Sequence, residues 1–214
     1  LTRRAKLNGM EQVAGIILAA GQGKRMRSSL PKCLHPVLGV PMAELVRRAM
    51  AGAGVTRPVL VVGVGAEQLR QSFGDRFVYA VQDEPLGTGH AALAGLSGIE
   101  GFEGPVFVSA GDTPLLTPEL FLAALEGYRA GNTVTVVTAI VPDPTGYGRI
   151  LRENGRVVGI VEHKAATDEQ KEIDEINAAI YCVDAAYLRD CLPRLRKDEG
   201  VGEILLTDIV ADAV

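Results

Sequence analysis

Strand-like and helix-like runs alternate through most of this chain of 214 residues. The strand-like runs are continuously rich in Val, Ile and Leu, and the runs between them have the apolar spacing of amphipathic helices. Continuous apolar strands are typical of a sheet covered on both faces. The order therefore predicts a three-layer α/β/α sandwich around a mostly parallel sheet. The predicted strands are residues 13–18, 58–62, 77–81, 106–109, 134–141 and 178–183, and the predicted helices are residues 42–53, 66–73, 90–96, 118–130, 167–173, 185–195 and 205–214.

One segment departs from this alternation. Two strand-like runs, residues 149–152 and 156–161, flank Glu-Asn-Gly, and an Asn-Gly pair between strands predicts a β-hairpin. We expect residues 142–177 to form a small lobe inserted over the carboxyl edge of the sheet, where open α/β sheets bind ligands. The rest of residues 13–214 then forms one domain, and residues 1–12 form an N-terminal tail.

The loop after the first strand has the composition of a phosphate-binding loop. It reads LAAGQGKRM at residues 18–26, and Lys32 follows shortly after. Its glycines let backbone N–H groups approach phosphate oxygens, while Lys24, Arg25 and Lys32 supply positive charge. A Walker A loop is excluded because Lys24 precedes Arg25, and the dinucleotide fingerprint is excluded because Met26 stands where a small residue is needed. An ordinary Gly-rich turn is the structural alternative.

Asp112 follows another apolar strand, in the sequence SAGDTPLL. It should therefore lie at the same edge of the sheet as the first loop. A carboxylate beside bound phosphate is repelled unless a Mg²⁺ ion bridges the two groups. The alternative is an Asp that caps the next turn, which is common before Thr-Pro. The position at the edge favours the metal.

A third loop, QDEPLGTGHA, follows a strand and opens a helix. The amide of Gln82 can pair with the edge of a nucleobase. Gly87, Thr88 and Gly89 would present N–H groups and a hydroxyl suited to the carbonyls and ring N–H of uracil. We interpret His90 as a packed helix residue rather than a catalyst.

The hairpin segment carries polar residues that suit a sugar. DPTGYGRI leads into the hairpin, which ends in Glu162, His163 and Lys164, and Glu-Ile-Asn ending at Asn177 precedes another strand. Such side chains bind ring hydroxyls. For His163 and Lys164 the alternative is an ordinary surface loop with salt bridges.

Composition excludes several classes of function. A formal net charge of −4 argues against wide, nonspecific nucleic-acid binding. We find no apolar run long enough for a bilayer and no secretory signal, so we expect no membrane partner. Three cysteines without metal-ligand spacing suit a reducing cytoplasm, and three scattered histidines give zinc chemistry no support.

Taken in order, these motifs resemble the uridylyltransferase domain of the bacterial N-acetylglucosamine-1-phosphate uridylyltransferase family. The likeness runs from about Val13 to the last residue and rests on LAAGQGKRM, LPKCLH, LGTGHA, AGDTPLL, DPTGYGRI, GIVEHKAATDEQ, EIN and LTDI. The first motif and the PK pair are common to sugar nucleotidyltransferases, whereas LGTGHA, DPTGYGRI and VEHKAATDEQ are more specific. The resemblance implies the Rossmann-like fold of nucleotide-diphospho-sugar transferases.

The resemblance also implies a Mg²⁺-dependent reaction of UTP with N-acetylglucosamine-1-phosphate, giving UDP-N-acetylglucosamine and pyrophosphate. It implies three catalytic residues: Arg25 to hold pyrophosphate, Lys32 to bridge the reacting phosphates, and Asp112 to bind the metal. The implied substrate-binding residues are Leu18, Ala19, Ala20, Gly21 and Gly23 for the nucleotide, Gln82, Gly87 and Thr88 for uridine, and Gly148, Glu162 and Asn177 for the sugar. Full-length relatives are expected to form homotrimers.

Two departures and two alternatives accompany this resemblance. Some relatives have an aromatic residue where Ala110 stands, so we expect a looser nucleotide pocket. A downstream Asn that completes the metal site has no counterpart here, so we expect an incomplete Mg²⁺ site and reduced activity; without hexapeptide repeats, no acetyl transfer is expected. The alternatives are a glucose-1-phosphate uridylyl- or thymidylyltransferase and a non-catalytic sugar-nucleotide-binding regulatory module.

Overall fold

The computed structural model describes residues 6–7, 10–21, 23 and 26–214. Its strands are β1 (Lys6–Leu7), β2 (Met10–Glu11), β3 (Ala14–Leu18), β4 (Pro36–Val37), β5 (Val40–Pro41), β6 (Val59–Val62), β7 (Val78–Val81), β8 (Pro105–Ala110), β9 (Val134–Ile140), β10 (Arg149–Glu153), β11 (Arg156–Val161) and β12 (Glu175–Asp184). Its α-helices are α1 (Met42–Gly52), α2 (Ala66–Phe73), α3 (Thr88–Gly95), α4 (Pro118–Arg129), α5 (Asp168–Lys171), α6 (Ala185–Cys191) and α7 (Asp208–Asp212).

The main sheet of the described residues joins eight strands in the order β11-β10-β12-β8-β3-β6-β7, with β9 paired to the other edge of β12. Strands β7, β6, β3 and β8 run parallel to one another. Strand β12 runs antiparallel to both β8 and β9. The predicted mostly parallel sheet is therefore confirmed.

Alternate side chains of the strands supply two cores, one on each face of the sheet. Ile17 belongs to the core formed with α1, α2 and α4. Its neighbour Ile16 belongs to the core formed with α3, α6 and α7. Both residues are fully buried, as the period-two geometry of a strand covered on both faces requires. The predicted three-layer sandwich is confirmed.

The predicted hairpin is present as β10 and β11. Its turn residues Asn154 and Gly155 have φ of 50° and 80°, the left-handed backbone that favours an Asn-Gly pair in a tight hairpin. Strand β10 joins the sheet where Arg149 pairs with Ile176 of β12, whereas β8 pairs with β12 only from Ile180 onward. The hairpin therefore lies beyond the carboxyl end of β8.

Several predicted boundaries are wrong; the helix predicted over residues 185–195, for example, is α6, which ends at Cys191 and is followed by a 3₁₀ turn. Strand β12 begins at Glu175 rather than at 178, because its first residues pair with β9 across a bulge at which Ala179 has φ of 57°. The last helix is shorter than residues 205–214, because the N–H of Leu206 donates to Thr88 Oγ1 instead of joining a helix.

None of the described helices has the length and apolar character that a bilayer span needs.

Candidate active site

An open cleft of about 1140 Å³ lies along the carboxyl edge of the parallel strands and under the hairpin. It is lined by every site residue that the family resemblance implies and the structure describes, namely Leu18, Ala19, Ala20, Gly21, Gly23, Lys32, Gln82, Gly87, Thr88, Asp112, Gly148, Glu162 and Asn177. Arg25, the remaining implied residue, and Lys24 of the same loop lie outside the described residues. Residues from well-separated segments of the chain thus meet at one surface.

The first loop and the loop after β8 meet at a pair of opposite charges. The N–H of Gly111 donates to the carbonyl oxygen of Leu18 at 2.9 Å, which joins the ends of the adjacent strands β3 and β8. Just beyond, the ammonium of Lys32 forms an ion pair with the carboxylate of Asp112. Their side chains are 35% and 26% exposed, so both charges remain accessible from the cleft.

Gly23 allows the first loop to pack closely against Lys32. Its φ of 59° lies in the left-handed region, and a Cβ built there would stand 3.0 Å from the Cβ of Lys32. Glycine is the residue that adopts this backbone without strain and leaves that space empty. The loop conformation therefore depends on a glycine at this position.

The loop before α3 holds the amide of Gln82 in one orientation. The Gln82 side chain is buried, its Nε2 donates to the carbonyl oxygen of Gly87 at 3.0 Å, and the same Nε2 lies 3.0 Å from Nδ1 of His90. Because a backbone carbonyl can only accept, the amide nitrogen must be the atom that faces Gly87. The interpretation of His90 as a packed helix residue therefore needs an addition, since its ring also contacts a cleft-lining side chain.

A segment near the end of the chain occupies part of this loop. The N–H of Gly89 donates to the carbonyl oxygen of Ile204 at 2.9 Å, and Thr88 Oγ1 accepts from the N–H of Leu206 at 2.9 Å. The expectation that Gly89 offers its N–H to a base is therefore wrong. Thr88 keeps its hydroxyl hydrogen as a donor, because only its oxygen is used.

On the hairpin side of the cleft, the bulge in β12 fixes the side chain of Asn177. Its Nδ2 donates to the Tyr181 hydroxyl at 2.6 Å, and its Oδ1 accepts from the N–H of Ala179 at 2.9 Å. Burial raises the pKa of Tyr181, so that hydroxyl stays protonated at neutral pH. Ala179, at the bulge, has a positive φ of 57°. Positive φ values at non-glycine residues cluster at functional sites, and here the bulge accompanies an Asn177 amide that is hydrogen-bonded to Tyr181.

Glu162 also lines the cleft, and its carboxyl is partly buried. Partial burial raises the pKa of its carboxyl; the Thr207 hydroxyl, 3.4 Å from Oε1, opposes this rise, and the nearby Asp208 carboxylate adds to it. A Cβ built on Gly148 would lie 3.5 Å from Glu162 Oε1. A side chain at position 148 would therefore contact the Glu162 carboxylate.

Sequence reasoning missed several residues of the lining. They include Tyr147, Tyr181, Glu203 and Thr207. Lys164, which the sequence offered as a sugar-binding type of residue with a surface loop as the alternative, does line the cleft. Tyr147 and Thr207 belong to quoted motifs, DPTGYGRI and LTDI, which were the available signals. Glu203 had no local signal.

Arg149 was also missed, although it anchors the loop before the hairpin. The residue is 1% exposed. Its guanidinium donates to the carbonyl oxygen of Tyr147 and to that of Lys171, the latter at 3.3 Å, and lies 3.3 Å from Nδ1 of His163. The available signal was a charged residue directly before the apolar pair Ile150 and Leu151 at the start of a predicted strand.

Comparison with known proteins identifies the family of this chain. A family model described as MobA-like NTP transferase domain matches residues 15–206, which is most of the chain and includes every described residue of the predicted site. The chain belongs to this NTP transferase family.

Close relatives of this NTP transferase domain carry the name Bifunctional protein GlmU. One from Pelobacter propionicus is 47% identical over 209 residues, covering 95% of this chain and 45% of the relative. Those from Geobacter metallireducens and Geobacillus thermodenitrificans are 44% and 46% identical, covering 95% and 91% of this chain and 44% and 43% of the relative. The chain thus spans less than half the length of these relatives.

A solved structure has the same fold. It is a UDP-glucose pyrophosphorylase in complex with UDP-glucose, with a TM-score of 0.77 and 19% identity, covering 94% of this chain and 86% of that one. At this identity the likeness shows the fold and nothing finer. The Rossmann-like nucleotidyltransferase fold implied by the sequence motifs is confirmed.

Proposed function

We propose that this NTP transferase domain transfers UMP from UTP to N-acetylglucosamine-1-phosphate, releasing pyrophosphate. One observation carries the proposal: residues implied to bind the nucleotide and residues implied to bind the sugar line a single cleft, which also contains the Lys32–Asp112 pair. The choice of substrates rests on the sequence motifs that resemble the uridylyltransferase family.

The proposed reaction depends mainly on the positioning of the two substrates and on positive charge near their phosphates. An oxygen of the sugar phosphate attacks the α-phosphorus of UTP, a new P–O bond forms, and the bond to the departing pyrophosphate breaks. The attacking phosphate is already ionised, so no general base is required. Lys32 supplies positive charge accessible from the cleft, and the glycine-rich loop after β3 offers backbone N–H groups to phosphate.

Asp112 would hold a divalent cation whose remaining ligands come from the substrate. Mg²⁺ in nucleotide enzymes is often held by one or two carboxylates together with phosphate oxygens, and among the described residues there is no cluster of three or more metal-binding side chains. A partly exposed carboxylate near a phosphate-binding loop matches such a site. When bound, Mg²⁺ would neutralise developing negative charge on the phosphates.

The hairpin side of the cleft would choose the sugar. Asn177 and Glu162 offer an amide and a carboxylate beside the backbone of Gly148, and such groups can hydrogen-bond ring hydroxyls and an N-acetyl group. The amide of Asn177 is held by two internal hydrogen bonds, so its orientation is set before the sugar arrives.

We further infer a cytoplasmic location, which the three cysteines without metal-ligand spacing support.

Pyrophosphate release tests this proposal. The chain is incubated with UTP, Mg²⁺ and either N-acetylglucosamine-1-phosphate or glucose-1-phosphate. We expect release with the N-acetylated sugar and little with the other. Preference for glucose-1-phosphate would support the alternative transferase, and binding of UDP-N-acetylglucosamine without turnover would support the regulatory module.

A further inference from the structure

Gln82 lines the cleft, but its amide nitrogen is engaged within the protein. Nε2 faces two acceptors, the carbonyl oxygen of Gly87 and Nδ1 of His90, each at 3.0 Å. Because the carbonyl oxygen of Gly87 can only accept, the Gln82 amide atom that faces it must be the nitrogen. Since Nε2 carries two hydrogens, both are used when the His90 ring accepts at Nδ1 and carries its own proton on Nε2.

This arrangement decides what Gln82 can offer a ligand. With both N–H groups engaged, the amide can present only its carbonyl oxygen. Rotation of the amide by 180° would turn that oxygen toward two other acceptors, and the residue is only 7% exposed, so water offers little compensation. The Gly87 carbonyl and the His90 ring therefore both hold the Gln82 amide in one orientation.

We propose that His90 is a positioning residue that selects a base with a ring N–H, acting through Gln82. Uracil has such an N–H at N3 and would donate it to Gln82 Oε1. Cytosine has an unprotonated N3, so two acceptors, this nitrogen and Gln82 Oε1, would face each other. The inference deepens the proposed function, since it presumes that Gln82 meets the base of the bound nucleotide.

Two variants at one position separate this role from packing. His90→Leu removes the acceptor, whereas His90→Asn keeps an acceptor oxygen near the place of Nδ1. The readout is the ratio of kcat/KM for UTP to that for CTP, with N-acetylglucosamine-1-phosphate as the second substrate. We expect His90→Leu to lower this ratio about tenfold and His90→Asn to keep most of it. An unchanged ratio in His90→Leu, or an equal fall in both variants, would overturn the proposal.

Two further measurements keep this test apart from that of the proposed function. If the wild-type chain shows no turnover with UTP, the proposed function fails, and the ratio of UDP to CDP affinity in the same variants, measured by calorimetry, still tests His90. If His90→Leu does not fold, nitrogen NMR of the wild-type ring decides. A proton on Nε2 is expected in the neutral ring, and a proton on Nδ1 would overturn the proposal.

Discussion

The backbone N–H of Leu206 donates to Oγ1 of Thr88 at 2.9 Å, although the two residues are 118 positions apart. Leu206 is 3% exposed, so this N–H depends on an internal acceptor. The adjacent residue, Thr207, reaches Glu162 on the other side of the cleft. Two successive residues therefore connect the loop before α3 with the hairpin.

Replacing Thr88 by Val should weaken this connection. The change keeps the shape of the side chain but leaves a buried N–H without its acceptor, which costs about 1–3 kcal/mol. We expect urea denaturation to show a loss of that size and the KM for UTP to rise. Thr88→Ser keeps the oxygen and should stay close to wild type. Equal behaviour of the Val and Ser variants would contradict this interpretation.

The anchoring role of Arg149 predicts a larger loss of stability. Arg149→Met leaves the carbonyl oxygens of Tyr147 and Lys171 without their donor, and we expect the free energy of unfolding to fall by about 2 kcal/mol or more. The KM for the sugar phosphate should rise, because Tyr147 and Gly148 line the cleft. Arg149→Lys should not rescue either property, since one ammonium lacks the fork that reaches both carbonyls. Rescue by Lys would show that charge alone matters.

The raised pKa of Glu162 predicts a specific dependence of stability on pH. Over the range between the ordinary glutamate pKa and the raised one, the folded chain holds a proton that the unfolded chain has lost. Stability therefore falls as the pH rises through this range. Glu162→Gln removes this ionisation, so its stability should fall less than that of wild type as the pH rises above the ordinary glutamate pKa.

Denaturation at several pH values measures this difference. Glu100→Gln, at an exposed position, is the matched control and should follow the wild-type curve within about 0.5 kcal/mol. A constant difference between Glu162→Gln and wild type at all pH values would mean that the ionisation of Glu162 does not contribute.

Local sequence patterns were enough for the layers and for most of the cleft. The apolar runs that end at Leu18 and Ser109 predict parallel strands, and parallel strands bring their following loops to one edge. That geometry explains why Lys32 and Asp112 could be expected together from the sequence. The Asn-Gly turn was a similarly local signal for the hairpin.

Features that depend on distant contacts were not predicted. The bulge at Ala179 arises from the register of β12 against β9, and register is set by pairing rather than by the local pattern. The contact of Leu206 with Thr88 has no signal in either segment alone. Arg149 sits in a motif, but its burial depends on carbonyl oxygens from two different loops.

Phosphorus NMR of the reaction mixture tests the central claim most directly. The wild-type chain is followed with UTP, N-acetylglucosamine-1-phosphate and Mg²⁺, beside Asp112→Ala, whose fold is checked by circular dichroism because a partly exposed carboxylate contributes little packing. We predict that wild type forms UDP-N-acetylglucosamine and pyrophosphate in equal amounts, and that folded Asp112→Ala forms neither. Unchanged UTP with the wild-type chain, or near-normal turnover by Asp112→Ala, would contradict the account.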